Sequence, residues 1–214
     1  MLVFLLAYNL KRTIKRYHHM KFKLICLGFL VFSFSVCASQ TDPSKEKLVQ
    51  GAVALTNSQV TYDPSYFYIA YPNGDVPSDK GVCTDVIIRA YRTVNIDLQQ
   101  LVHEDMEENF SVYPNIWGLT RPDSNIDHRR VPNLMTFFSR HEANLPITSN
   151  PSDYKPGDVV AWNLGGSVTH IGIVSNKKTA DKKRYLLVHN IGAGQVLEDC
   201  LFSYEIIGHY RYPN

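Results

Sequence analysis

The spacing of apolar residues changes near Pro151, and this change limits the folds that the chain can adopt. Before Pro151, apolar positions recur at helical intervals, which predicts helices over about 83–93, 97–110 and 132–140. After it, short apolar runs between turn residues predict strands at 159–162, 169–174, 186–191 and 206–212. Helices followed by strands predict an α+β fold, with N-terminal helices packed on a small antiparallel sheet.

The first 38 residues have the composition of an export signal. A basic opening precedes an apolar run from Leu24 to Phe34, and residues 36–38 supply a cleavage site. Residues 1–19 are either a mis-assigned start or a long n-region. A retained anchor is the alternative, although the apolar run is shorter than the ~20 residues that span a bilayer. We expect export to the periplasm or cell envelope of a bacterium.

The remaining chain is long enough for one well-buried domain. We predict a polar tether over residues 39–50, a first helix near Leu48–Leu55 and a single domain over 51–214. The formal net charge is +2, with both signs mixed along the chain, so nothing indicates a nucleic-acid partner. After signal removal we expect a monomer without stable membrane insertion.

Cys83 lies where one of the predicted helices begins. Gly81 precedes it, and Thr84 and Asp85 are polar residues suited to a first helical turn. Unpaired N–H groups and the helix dipole at that end favour a thiolate, which makes Cys83 a candidate nucleophile. The alternative is a disulfide with Cys200, the other cysteine that remains after signal removal.

Two later strands each carry one histidine that could serve such a thiol. His170 begins an apolar run and is the candidate base, with Gly172 leaving room beside its ring. His189 is the candidate orienting residue, and Asn190 is its rival. Because neighbouring strand residues point to opposite faces, only one of those two can serve. Each histidine could instead be an ordinary strand residue with satisfied hydrogen bonds.

A polar cluster in the middle of the chain has several interpretations. One interpretation is a metal site, but the acidic residues and histidines of the cluster do not have the tight spacing of a zinc motif. We therefore expect neither a metal nor a cofactor. Another interpretation is a salt-bridged, loop-ordering cluster of Asp127, Arg129 and Arg130. A third is that these arginines bind a carboxylate of the substrate. The candidate substrate-binding residues are therefore Asp127, Arg129, Arg130 and Asn190.

These residues resemble the NlpC-type branch of papain-like cysteine peptidases. The matching parts are the helix-opening Cys83 and the stretches 156–162, 170–174 and 188–189. More closely, the chain resembles the domain-of-unknown-function family 1287 of exported bacterial proteins, over roughly residues 50–213. The stretches that carry this second resemblance are 81–86, 102–106, 125–134, 189–194 and 208–211.

The resemblance implies a papain-like, NlpC-type fold and a Cys–His site. It implies a cysteine hydrolase that cleaves an amide bond through an acyl-enzyme, with a peptide or peptidoglycan stem peptide as substrate. The NlpC branch usually has Asp before its cysteine and Ser-Gly after it, whereas here Val82 precedes and Thr84-Asp85 follows. The γ-glutamyl-diaminopimelate specificity of that branch is therefore not carried over.

Two further functions remain open on the sequence. One is a catalytically inactive papain-fold module that binds peptidoglycan or a partner protein. The other is an acyltransferase that uses the same thiol, since hydrolysis and transfer differ only in the acceptor.

Overall fold

Helices and irregular segments precede a five-stranded sheet in the computed structural model, which describes residues 42–213. The predicted signal peptide, residues 1–38, lies outside the described residues. Within 42–213, no helix combines the length and the hydropathy needed to cross a bilayer. The α-helices of this part of the chain are α1 (Pro43–Leu55), α2 (Cys83–Arg92), α3 (Leu98–Asn109) and α4 (Val131–Arg140).

The strands form two sheets. A short parallel pair joins β1 (Thr61–Tyr62) to β2 (Lys80–Gly81), directly before α2. The main sheet has the order β6-β5-β4-β3-β7 and is antiparallel throughout. Its strands are β3 (Val159–Asn163), β4 (Thr169–Lys178), β5 (Tyr185–His189), β6 (Val196–Glu198) and β7 (Glu205–Tyr210). This layout confirms the predicted α+β class.

Helix α2 is the centre of the hydrophobic core. Val86, Ile87, Ala90 and Tyr91 have no exposed surface, and they belong to one cluster with residues of the other helices and of the sheet. Full burial of an aliphatic side chain of this size contributes about 1.5–3 kcal/mol. The helix that begins with Cys83 is therefore held in place by packing along most of its length.

The predicted tether over residues 39–50 is wrong from Pro43 onward, because α1 begins there. The Asp42 carboxylate accepts a hydrogen bond from the Ser44 backbone N–H, and Pro43 has the backbone angle of a first helical turn. Leu48 and Val49 are buried by the rest of the domain. The polar residues of this segment are the exposed face of a helix rather than a linker.

A buried ion pair fixes the start of α2. The Asp85 carboxylate accepts a hydrogen bond from the Val82 backbone N–H at 2.7 Å and two from the Arg129 guanidinium at 3.0 and 3.2 Å. Arg129 also donates to the carbonyls of Asp63 and Ser65. Both ion-pair side chains are almost fully buried. The pair therefore ties the loop after β1 and the segment before α4 to the helix that carries Cys83.

We predict that Arg129→Ala lowers the free energy of unfolding by roughly 3–5 kcal/mol, because it leaves the Asp85 charge buried without its partner. The matched control is Arg184→Ala, which removes the solvent-exposed pair with Asp199 and should cost under about 1 kcal/mol. Urea denaturation of both variants measures the difference. Equal, small losses in the two variants would show that the buried pair does not hold this region together.

Candidate active site

Cys83 lines a surface groove of about 540 Å³. It is the first residue of α2, and its side chain is mostly buried. The backbone N–H of Ile171 lies near the Cys83 sulfur, where it acts to lower the pKa of the thiol. Because Ile171 follows His170 on β4, the sulfur lies against the strand that carries the candidate base. The other groove-lining residues are Tyr62, Pro64, Val82, Ile116, Trp117, Ile126, Arg129, Arg130, Val131, Pro132, Ser167 and Thr169.

His170 and His189 are joined by a direct hydrogen bond. His170 Nε2 lies 2.9 Å from His189 Nδ1, and His189 Nε2 lies 3.2 Å from Glu198 Oε2. A carboxylate accepts, so His189 donates from Nε2 and accepts at Nδ1, while His170 donates from Nε2. In this arrangement His170 Nδ1 carries no proton. The chain of hydrogen bonds thus prepares one nitrogen of His170 as a base.

Packing around His170 fixes the orientation of its ring. Trp162 is its cross-strand partner on β3, and the two rings stack with centroids 5.6 Å apart. The Trp162 indole N–H donates to the Leu201 carbonyl, which holds the indole in turn. A Cβ at Gly172 would lie 3.1 Å from His189 Cβ and 3.2 Å from Trp162 Cη2. Because Gly172 has no side chain, His189 and Trp162 can pack closely against its backbone.

The protonation states differ from those expected for a cysteine at a helix N-terminus. Burial raises the pKa of the Cys83 thiol to about 12, despite backbone N–H groups near the sulfur that lower it. Burial, with a smaller contribution from His189, lowers the pKa of His170 to about 3. Burial also lowers the pKa of His189. At neutral pH burial therefore favours a thiol and an uncharged imidazole in the resting site, against the effect of the helix N-terminus on the thiol.

Asn190, the rival to His189, forms its side-chain hydrogen bonds with backbone groups rather than with the histidine rings. Its amide N–H donates to the Gly81 carbonyl at 3.2 Å, and its amide oxygen accepts from the Gly192 backbone N–H. Asn190 is fully buried. It links the end of β5 to the residues just before Cys83, so it supports the site without contacting His170 in the way that His189 does.

The other candidate substrate-binding residues are placed in three different environments. Asp127 is fully buried and bonded to His103 Nδ1 at 2.9 Å, and burial raises the pKa of its carboxyl. The Arg129 guanidinium forms a buried ion pair with the Asp85 carboxylate. Arg130 is half-buried and stacks over Trp117, with the guanidinium carbon 4.0 Å from the ring centroid. The three therefore do not form the mutual salt-bridged cluster that was one interpretation of the sequence.

The disulfide alternative for Cys83 is wrong, since Cys83 and Cys200 are both free thiols. Cys200 packs in a second hydrophobic cluster, on the Trp162 side of the sheet. Burial raises the pKa of the Cys200 thiol to about 12. Cys200 has the role of a small apolar side chain.

Several residues of the site were not identified from the sequence, among them Glu198 and Tyr62. Glu198 contacts His189 from β6. This strand has only three residues, too few to show the alternation of apolar and polar residues that predicts a strand. Tyr62 lines the groove from β1, and the nearby Cys83 and Asp85 contribute, after burial, to the raised pKa of its hydroxyl. The only sequence signal for Tyr62 was an extended, tyrosine-rich stretch, which does not single out one ring.

The chain is similar to one protein of Escherichia coli and to several solved structures. The "Uncharacterized protein YijF" of Escherichia coli K12 is 54% identical over 165 residues, which are 77% of this chain and 80% of that protein. Among solved structures, NlpC1 from Trichomonas vaginalis matches with a TM-score of 0.42 and 13% identity over 81% of this chain and 46% of that one.

A second solved structure, described as similar to a lipoprotein of the NLP/P60 family from Staphylococcus aureus Mu50, matches with a TM-score of 0.39 and 15% identity. It covers 80% of this chain and 42% of that chain. The chain thus spans less than half the length of each of these two solved chains. The profile of the family described as "Domain of unknown function (DUF1287)" matches residues 49–212. The chain belongs to this family.

Proposed function

We propose that the protein is an exported cysteine hydrolase that cleaves an amide bond, in a cell-wall peptide, through a thioester intermediate. The observation that carries the proposal is the hydrogen-bonded series from Glu198 through His189 to His170. It ends on β4, the strand whose Ile171 backbone N–H lies near the Cys83 sulfur. A histidine with one nitrogen held as donor and the other free of a proton is what a general base beside a thiol requires.

In the first step the Cys83 sulfur attacks the carbonyl carbon of the bound amide. The thiol proton passes to His170 Nδ1, and the new S–C bond creates a tetrahedral oxyanion. The backbone N–H of Cys83, at the N-terminus of α2, stabilises that charge. The imidazolium of His170 is stabilised by His189 and, through it, by Glu198. Its proton then passes to the nitrogen of the leaving amine as the C–N bond breaks.

In the second step water attacks the thioester. His170 accepts a proton from the water, the C–S bond breaks and the thiol is regenerated with the carboxylic acid product. An amine in place of water would give transfer by the same route. The groove opens to the surface, so it admits either acceptor.

Different observations support the proposed substrate class and the proposed export. A cell-wall peptide is the substrate that the resemblance of the Cys83, 156–162 and 170–174 stretches to the NlpC branch implies. Export is supported by the composition of residues 1–38.

A second candidate is a papain-fold module that binds peptidoglycan or a partner protein without turning it over. The observation that favours it is the raised pKa of the Cys83 thiol, because a buried neutral thiol is a weaker nucleophile than a thiolate. The two candidates predict different results for Cys83 variants.

For the hydrolase, we predict that Cys83→Ala lowers turnover of purified muropeptides at least about 1,000-fold, because the acyl-enzyme cannot form. The thermal midpoint should stay close to that of the unaltered protein. Cys200→Ala is the matched control and should keep turnover. Mass spectrometry of the muropeptide products measures both. Turnover that Cys83→Ala reduces only a few-fold would contradict the proposed nucleophile.

We predict that His189→Ala lowers kcat roughly 100-fold, because His189 contacts His170 directly and orients its ring. Glu198→Ala should lower kcat less, by about tenfold, because Glu198 acts on His170 only through His189. Glu198→Gln should recover most of the activity, since an amide oxygen still accepts from His189 Nε2. The control is Asp199→Ala, whose carboxylate pairs with Arg184 instead. Equal losses in Glu198→Ala and Asp199→Ala would rule out this role for Glu198.

The uncharged His170 also predicts a pH dependence of stability. Its pKa is about 6.5 in the unfolded chain and about 3 in the folded protein, so the unfolded state binds the extra proton between these values. Stability is therefore complete above about pH 6.5 and falls as the pH drops towards 3. Between pH 7 and pH 5 the loss from this residue is roughly 2 kcal/mol.

Urea denaturation at the two pH values checks this prediction. His170→Gln should be less sensitive to the change from pH 7 to pH 5 than the unaltered protein. His128, which burial also keeps uncharged in the folded state, supplies a second, independent contribution that the variant retains. An identical pH dependence in the variant and the unaltered protein would show that His170 is not buried as a neutral ring.

A further inference from the structure

Arg130 is unusual among the arginines of the described chain. Within residues 42–213, all of the arginines except Arg121 and Arg130 form an ion pair with an aspartate, and Arg121 is exposed to solvent. Arg130 is partly buried. The paired arginines are Arg89, Arg92, Arg129, Arg140, Arg184 and Arg211.

The surroundings of Arg130 stabilise its charge only in part. Its guanidinium stacks on Trp117, and within residues 42–213 it has neither an ion pair nor a hydrogen bond. Burial lowers the pKa of Arg130, although Asp127 and Asp123 counteract this from a distance. Removing a cation from water without a paired anion is costly, which indicates that an anion binds there in the functional state.

Arg130 lines the same groove as Cys83, and the charged residues that line this groove are all positive. Among the described residues that line it, none is acidic. Arg129, the other cation of the groove wall, is neutralised by Asp85. Val131 and Pro132, the first residues of α4, also line the groove, so the positive end of that helix dipole lies beside the Arg130 side chain.

We infer that Arg130 binds a carboxylate of the acyl compound that Cys83 attacks, so that the substrate class is an anionic amide with a carboxylate close to the scissile bond. This inference rests on the proposed function. A guanidinium presents several N–H donors in one plane and binds a carboxylate through two of them. The Trp117 ring covers one face of the guanidinium and leaves its edge for the ligand.

Alkylation of Cys83 with a matched pair of reagents tests the inference without a known substrate. Iodoacetate carries a carboxylate next to its reacting carbon, and iodoacetamide carries a neutral amide there. The rate of each reagent at Cys83 is measured at pH 9 by mass spectrometry of the peptide that contains it. The ratio of the two rates is then divided by the same ratio for N-acetylcysteine, which removes their intrinsic difference in reactivity.

We expect this normalised ratio to favour iodoacetate in the unaltered protein and to fall about fivefold or more in Arg130→Gln. Arg130→Lys should keep part of the preference, because it retains the charge without the planar donors. Arg121→Gln, the solvent-exposed control, should not change it. In the unaltered protein, raising the ionic strength should also lower the ratio, and this measurement needs no variant to fold.

The outcomes separate this inference from the proposed function. If both reagents modify Cys83 and the ratio responds neither to Arg130 nor to salt, the carboxylate site is wrong and the hydrolase remains. If iodoacetamide modifies Cys83 but iodoacetate does not, the groove repels an anion, so the carboxylate site is wrong and the hydrolase remains.

Discussion

The packing of α2 against β4 is the interaction on which the candidate site depends. Val86, Ile87 and Ala90 are fully buried, so the helix cannot shift without opening the hydrophobic core. The sulfur of Cys83, at its first residue, is consequently held beside β4 by the energy of the core. His170 is held equally firmly, because its strand lies between β3 and β5 in the sheet. Core packing therefore holds both residues of the proposed Cys–His pair in place.

The same packing sets the chemistry that the site can perform. Because Cys83 and His170 are both buried, the charged form of each is disfavoured, and the pair rests as thiol and imidazole. A resting thiolate–imidazolium pair would have to overcome this desolvation before any substrate arrives. In the proposed reaction the proton therefore moves during attack on the substrate, when the developing oxyanion, stabilised by the positive end of α2, compensates for the new positive charge on His170. His189 and Glu198 matter most at that moment.

Much of this arrangement could be predicted from the sequence because it follows from hydrophobic spacing. The bounds of α2 and α4 and the strand that carries His170 were each indicated by apolar residues at a regular period. The contacts of charged groups could not be predicted in this way. Asp85 and Arg129 are 44 residues apart, and nothing in the local pattern of either identifies the other. Glu198 was missed for the same reason, on a strand too short to show alternation.

Arg129 and Arg130 show why such residues need a structure to be interpreted. They are neighbours in the chain and identical in chemistry, and from the sequence both could equally order a loop or bind a substrate. Arg129 ends a short 3₁₀ helix and Arg130 immediately precedes α4, so the two side chains leave the backbone in different directions. One meets the Asp85 carboxylate inside the protein, and the other meets a tryptophan at the edge of a groove. The buried aspartate thus separates a structural arginine from one whose charge remains available to a ligand beside Cys83.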